Sequence, residues 1–290
     1  MCACTSNESD ISMSDGYLIP TFGGTPVVNK QVAQLYREIT NDAFDLGEEE
    51  FITVSPILAL RNDTTVAQTM VFEFDGYGRA HTFFDMGSLM LSADIKIVTQ
   101  DDEKPAATVN ASVVNNVLLS CFSKAVFRLN GVEIDVLDDF PNIVNLQDLF
   151  GTNDSLRKGV LKEGGMVFDQ AEKFNPTYPG LPDPASPSNF GYTERQSFFC
   201  SVNLVAAAAN FTWNGTPRTF MKHLNLPFSA FVPAAGNYCK IELQYSSNGW
   251  QHYIMAAKAE EGKKLKPYLS NLCLTIRTYS VDNNKAALEL

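Results

Sequence analysis

Residues 114–134 read VNNVLLSCFSKAVFRLNGVEI, and the change of period inside this stretch decides the fold class. Val114, Val117, Leu118, Cys121 and Phe122 recur at helical spacing, one face of a helix of about two turns. Asn115 and Asn116 put cap-type side chains at its start. The period then switches to two. Ala125, Phe127 and Leu129 alternate with Val126 and Arg128. Asn130-Gly131 follows, the pair best able to take positive φ at both central positions of a two-residue turn. Val132, Ile134 and Val136 resume the alternation, so the spacing predicts a β-hairpin.

Working outward, the same period of two recurs. In SLMLSADIKIVT (88–99), Leu89, Leu91, Ala93, Ile95 and Ile97 take one face, while Met90, Ser92, Asp94 and Lys96 take the other. NYCKIELQYSS sets Cys239, Ile241, Leu243 and Tyr245 against Lys240, Glu242 and Gln244. LSNLCLTIRTYSV does the same with Leu272, Leu274 and Ile276 against Cys273, Thr275 and Arg277. MVFEFDGYG, EEEFITVSPILAL, SFFCSVNLVAAAANFTW and GWQHYIMAAKA read as further strands, and EEGKKLKP as a charged turn. DVLDDFPNIVNLQDLFG predicts a short helix with Ile143, Leu146, Leu149 and Phe150 as its apolar side. The total is about eight or nine strands without strand–helix alternation, which argues against a parallel sheet and points to an all-β antiparallel jelly-roll sandwich with short helices in its loops.

The chain of 290 residues divides into an acidic N-terminal arm (1–50) and a single β-domain (51–290). The arm holds nine acids against Lys30 and Arg37, and QVAQLYREI within it predicts a short amphipathic helix. Residues 1–15 read as disordered, with no apolar core of a secretion signal. FNPTYPGLPDPASPSNF (174–190) contains five prolines and predicts an irregular excursion, either a contact arm or a surface loop. A net charge of −11 disfavours sequence-independent binding to nucleic acid, and no membrane span is expected.

Residues suited to catalysis are sparse. His81, His223 and His252 stand far apart in sequence, and none sits in a metal-binding or nucleophile motif. Six cysteines, Cys2, Cys4, Cys121, Cys200, Cys239 and Cys273, form no CxxC pair and read as reduced thiols, four of them in apolar patterns. Neither a metal nor a cofactor is expected, and the chain does not read as an enzyme. Trp213 and Trp250 are the only tryptophans available as sugar-stacking platforms.

The order of four phrases resembles a known family. SLMLSADIKIVTQDD, VNASVVNNVLLSCFSKAVFRLNGVEI, TFMKHLNLPFSAFVPAAGNYCKIELQY and LSNLCLTIRTYSV follow one another as in the hexon-like major capsid proteins of Maverick/Polinton elements and adintoviruses. The positions that carry the resemblance are Asn115, Asn116, Phe122, Ser123, Leu129, Asn130 and Gly131, with residues 224–245 matching in outline. The resemblance implies a viral or virus-derived capsid subunit, located in the virion shell and assembled in the host cytoplasm or nucleus. It implies a double jelly roll that forms homotrimeric capsomers with itself and other capsid proteins. The phrases here resemble the first barrel only, and a single-barrel relative would favour pentamers. The competing readings are a carbohydrate- or receptor-binding β-sandwich of spike or lectin type, and a cupin-like metalloenzyme.

Overall fold

The computed structural model describes residues 46–281 apart from 63–66, 78, 80–81, 152–159, 170–188, 206–207, 247–249 and 257. The predicted disorder of 1–15, the helix in QVAQLYREI, His81 and most of the Pro-rich excursion lie outside the described residues. The first strand starts at Leu46.

Two antiparallel sheets face each other. In chain order the strands are β1 (Leu46–Val54), β2 (Gln68–Asp75), β3 (Thr82–Thr99), β4 (Ala111–Val113), β5 (Phe122–Leu129), β6 (Val132–Asp138), β7 (Cys200–Val205), β8 (Ala208–Trp213), β9 (Arg218–His223), β10 (Phe231–Pro233), β11 (Tyr238–Tyr245), β12 (Ile254–Ala256) and β13 (Leu265–Val281). One sheet runs β1-β13-β3, with β9 and β10 both pairing β3, and the other runs β2-β11-β5-β6. Short pairs β4-β12 and β7-β8 flank them.

The pairing is nested. Among the eight strands β1, β2, β3, β5, β6, β9, β11 and β13, the first pairs the last and the third pairs the sixth. The second pairs the seventh, and the fourth pairs the fifth. A ribbon paired this way and wrapped so that its strands alternate between two sheets is a jelly roll.

The core lies between the sheets because the alternation in each strand points one face inward. β11 alternates half-buried and buried residues along its whole length. Cys239, Ile241, Leu243 and Tyr245 meet Phe72, Phe74, Phe127, Leu91, Ile95, Leu274 and Ile276 in one continuous core. Removing one of these Phe side chains from water is worth about 1.5–3 kcal/mol.

Five helices are described: α1 (Val117–Ser120), α2 (Phe140–Gly151), α3 (Val160–Glu163), α4 (Phe190–Ser197) and α5 (Ala259–Gly262). α1 is one turn rather than two. All four of its residues are buried, and it touches β3 and β9 of one sheet and β5 of the other. Helical spacing fails outside this turn because the flanking segments are in other ladders: Val113 ends β4 and Phe122 opens β5.

Further expectations change. α2 buries Phe140 and Val144; of its predicted apolar side only Ile143 packs on the core, whereas Leu146, Leu149 and Phe150 are exposed. SFFCSVNLVAAAANFTW is a hairpin of two strands, β7 and β8. GWQHYIMAAKA holds only three strand residues after a 3-10 turn, and EEGKKLKP contains α5. α4 was not anticipated. Its start is fixed by Asn189, whose side-chain oxygen accepts from the backbone N–H groups of Gly191 and Tyr192.

Candidate functional site

The residues of the opening stretch separate to the two ends of β5. At one end, Asn130 and Gly131 form the two-residue turn of the β5–β6 hairpin, with φ of 51° and 80°. Both signs match the turn whose twist suits a hairpin. The Asn130 side chain also joins this turn to β11. Its Oδ1 accepts from Tyr238 N at 2.8 Å, and its Nδ2 donates to Asn237 Oδ1 at 2.7 Å. Beside them, an open cleft of about 420 Å³ is lined by Asp75, Gly76, Tyr77, Arg79, Asn237 and Tyr238.

At the other end, Asn115 and Asn116 are anchors rather than caps. Asn116 precedes α1 in the left-handed region and its side chain makes no capping bond. Its Nδ2 donates instead to Asn145 Oδ1 and Asp148 Oδ2 on α2, both at 2.7 Å. Asp148 Oδ2 in turn accepts from Lys222 Nζ of β9 at 2.5 Å. Asn115 Oδ1 accepts from Val167 N at 2.8 Å and from Arg195 Nη1 at 3.0 Å. Phe122 is buried and meets Tyr245 edge-on, with ring centroids 6.1 Å apart. Ser123 Oγ donates weakly to Gln244 O, and Leu129 is half-buried against the core.

Arg195 is the centre of this end. It is fully buried. Its Nη2 donates to both carboxylate oxygens of Asp169, at 3.0 and 2.9 Å, and its Nε donates to Val113 O at 2.8 Å. Nη1 also donates to Val167 O. One guanidinium therefore ties β4, the 167–169 segment and α4 together. Burial lowers its pKa, and Asp169 opposes that. Burial likewise lowers Lys222, with Asp148 opposing.

Sequence reasoning missed Arg195, Asp169, Asp148 and Lys222. Two of them left a signal. Lys222 shares the period-two face of Phe220 and Leu224, both buried. Asp148 falls four residues after Val144 and eight after Phe140, on the buried side of α2. Arg195 and Asp169 meet only in space.

Among the described residues no cluster of three or more His, Cys, Asp or Glu could hold a metal ion. His223 lies in β9 and His252 in the 3-10 turn. Cys121, Cys200 and Cys239 are buried, and burial pushes the Cys200 and Cys239 thiols up to about 12, far from the thiolate a nucleophile needs. Cys273 is half-buried beside Ser92, and Cys2 and Cys4 lie outside the described residues. Trp213 is 2% exposed and offers no stacking platform.

Solved structures resemble the chain to different degrees. The Sputnik virophage structure superposes with a TM-score of 0.51 at 8% identity, over 98% of this chain and 53% of that one. At that identity the likeness is one of fold, an antiparallel jelly roll. The mavirus major capsid protein matches at 11% identity and TM-score 0.42, over 96% of this chain and 55% of its own. The Faustovirus major capsid protein matches at 10% identity and TM-score 0.43, over 86% and 56%. The chain spans about half the length of the solved chains it matches. No family model matches the chain, and no curated protein matches it.

Proposed function

We propose that this chain is a structural capsid protein, a viral or virus-derived shell subunit that builds capsomers by self-association and by contact with other capsid proteins. The observation that carries the reading is the nested strand order in two four-strand sets, in a chain whose fold superposes on the virophage structure with a TM-score of 0.51. A shell subunit needs a stiff wall and repeated contacts, not a catalytic centre. The buried Arg195–Asp169 and Lys222–Asp148 pairs and the continuous core supply stiffness.

Membership of the Maverick/Polinton hexon-like group rests on the phrases around Asn115, Asn116, Phe122, Asn130 and Gly131. These act as scaffold residues in this reading. In a capsomer the chain forms a homotrimer, or a pentamer if its barrel acts singly. The acidic arm preceding β1 and the Pro-rich 174–190 serve as contact arms. The arm's charge has the wrong sign for packaging a genome. The site of action is the virion capsid.

Light scattering coupled to size-exclusion chromatography, with negative-stain electron microscopy, tests the reading. Trimers, pentamers or shells are expected. A strictly monomeric protein from low to high salt, up to high micromolar concentration, overturns it.

A further inference from the structure

Both buried ion pairs set a cation beside a carboxylate, but only one of the two cations can become a nucleophile. A guanidinium keeps its proton, so Arg195 beside Asp169 is inert. An amine that gives up a proton is a nucleophile, and desolvation favours that neutral form. Lys222 has 5% of its side chain exposed and Asp148 4%. Burial lowers the Lys222 pKa, with Asp148 opposing. Lys266 is also buried, but its partner Asp102 is 56% exposed, so water reaches that pair.

A third group sets Lys222 apart. Asp148 Oδ2 accepts from Lys222 Nζ at 2.5 Å and from Asn116 Nδ2 at 2.7 Å. One carboxylate oxygen thus holds an amine and a carboxamide side by side. Asn116 is fully buried. Its backbone is held in the left-handed region, with φ of 51°, and its N–H donates to Gly165 O at 3.2 Å. Its Oδ1 is buried without a hydrogen-bond partner among the described residues. A buried acceptor left unpaired costs stability and in a native fold asks for a reason. Negative charge gathers on this oxygen when an amine adds to the amide carbon. With no bond to lose beforehand, the oxygen gains a donor only during that addition, and such an interaction speeds a reaction.

We propose that Lys222 and Asn116 join through an isopeptide bond, with Asp148 relaying the protons. Lys222 Nζ adds to Asn116 Cγ, and the Cγ–Nδ2 bond breaks. Two protons pass from Nζ through Asp148 to Nδ2, which leaves as ammonium. Asp148 ends as the carboxylate it was, and nothing is oxidised or reduced. Reactants held on one oxygen in a water-poor site react as one molecule, which removes much of the entropic barrier. Until the bond closes, Lys222 and Asp148 act as an ion pair. Once closed, the bond ties β9 to the turn before α1 and closes a long loop, which lowers the entropy of the unfolded chain. This chemistry is independent of the capsid reading.

Intact mass spectrometry with tryptic mapping tests the bond. The full chain is kept folded at neutral pH for a week, beside a sample held unfolded in urea and a folded Asp148→Asn variant, with circular dichroism as the folding check. Folded wild type is expected to fall in mass by one ammonia. Its digest should contain a branched peptide joining the Asn116 and Lys222 segments, with no cut after Lys222. The urea sample should keep its full mass, and Asp148→Asn should react at least about a hundredfold more slowly. Folded wild type that keeps its full mass overturns the bond. So does loss of ammonia without a branched peptide, which marks a succinimide, or a branch at another lysine or asparagine. Equal reaction in urea overturns the role of the folded geometry, and an Asp148→Asn variant that reacts at the wild-type rate overturns the relay. Should Asp148→Asn misfold, the wild-type mass and peptide map decide alone.

Discussion

Lys222 of β9 reaches Asp148 of α2 at 2.5 Å, with 5% and 4% of their side chains exposed. α2 is thus pinned to the barrel by an ion pair and by Asn116, while Leu146, Leu149 and Phe150 face outward. Removing one member of a buried pair strands the other charge. Lys222→Met or Asp148→Leu alone is therefore expected to cost about 3–5 kcal/mol, whereas Lys222→Met with Asp148→Leu recovers most of the loss. Urea unfolding of the two single variants and the double variant measures this. Additive losses in the double variant contradict the pairing.

Arg195 presents a stricter requirement. Its planar fork meets Asp169 twice and carbonyl oxygens of Val113 and Val167 at fixed angles. An ammonium cannot reproduce that fork. Arg195→Lys is expected to lose at least about 3 kcal/mol, close to the loss for Arg195→Met, and Asp169→Asn to lose less because an amide still accepts one bond. Equal stability of Arg195→Lys and wild type in thermal melts would show that the fork is dispensable.

What could be read from sequence follows a physical division. Period-two alternation survives in β3, β11 and β13 because each has one face on the core, so those strands and the Asn130-Gly131 turn were legible. Helical spacing misled at Val114–Phe122. Val117 and Leu118 of the helical turn, Cys121 after it, Phe122 at the start of β5 and the half-buried Val114 before it happened to fall at helical intervals. On α2 the exposed Leu146, Leu149 and Phe150 equal in number the inward Phe140, Ile143 and Val144, so counting apolar residues could not tell its two sides apart. The buried ion pairs were not legible, because each joins residues 26 to 74 positions apart.

Two glycines separate backbone strain from steric exclusion. Gly131 has φ of +80° and nothing within 4 Å of where a Cβ would stand. A β-branched side chain there meets only the left-handed penalty, so Gly131→Val is expected to cost about 1–2 kcal/mol and impair the hairpin, while Gly131→Asn costs less. Gly76 is the opposite case. An added Cβ would lie 1.6 Å from the Ala234 carbonyl oxygen, so Gly76→Ala must separate the β2 end from the 234–237 turn. Gly76→Ala should therefore be more destabilising than Gly131→Ala in denaturant melts. The reverse order rejects the close packing of these turns.

Asp94 gives the fold an acid-sensitive contact on the outer face of β3. Thr219 Oγ1 donates to its Oδ1 at 2.5 Å and Asn271 Nδ2 to its Oδ2 at 2.7 Å. These bonds, Thr219 first, favour the carboxylate and lower its pKa below the ordinary 3.8. A carboxyl depressed in the folded state is protonated more readily once unfolded. Its stabilisation is therefore complete above the unfolded value and is lost as pH falls through the folded one. Asp94→Asn is accordingly expected to reduce stability at neutral pH and to make progressively less difference below pH 3.8. Unfolding midpoints of both proteins measured from pH 7 down to about pH 2 trace this window. A gap that stays constant over that range would show that Asp94 acts through packing and not through its charge.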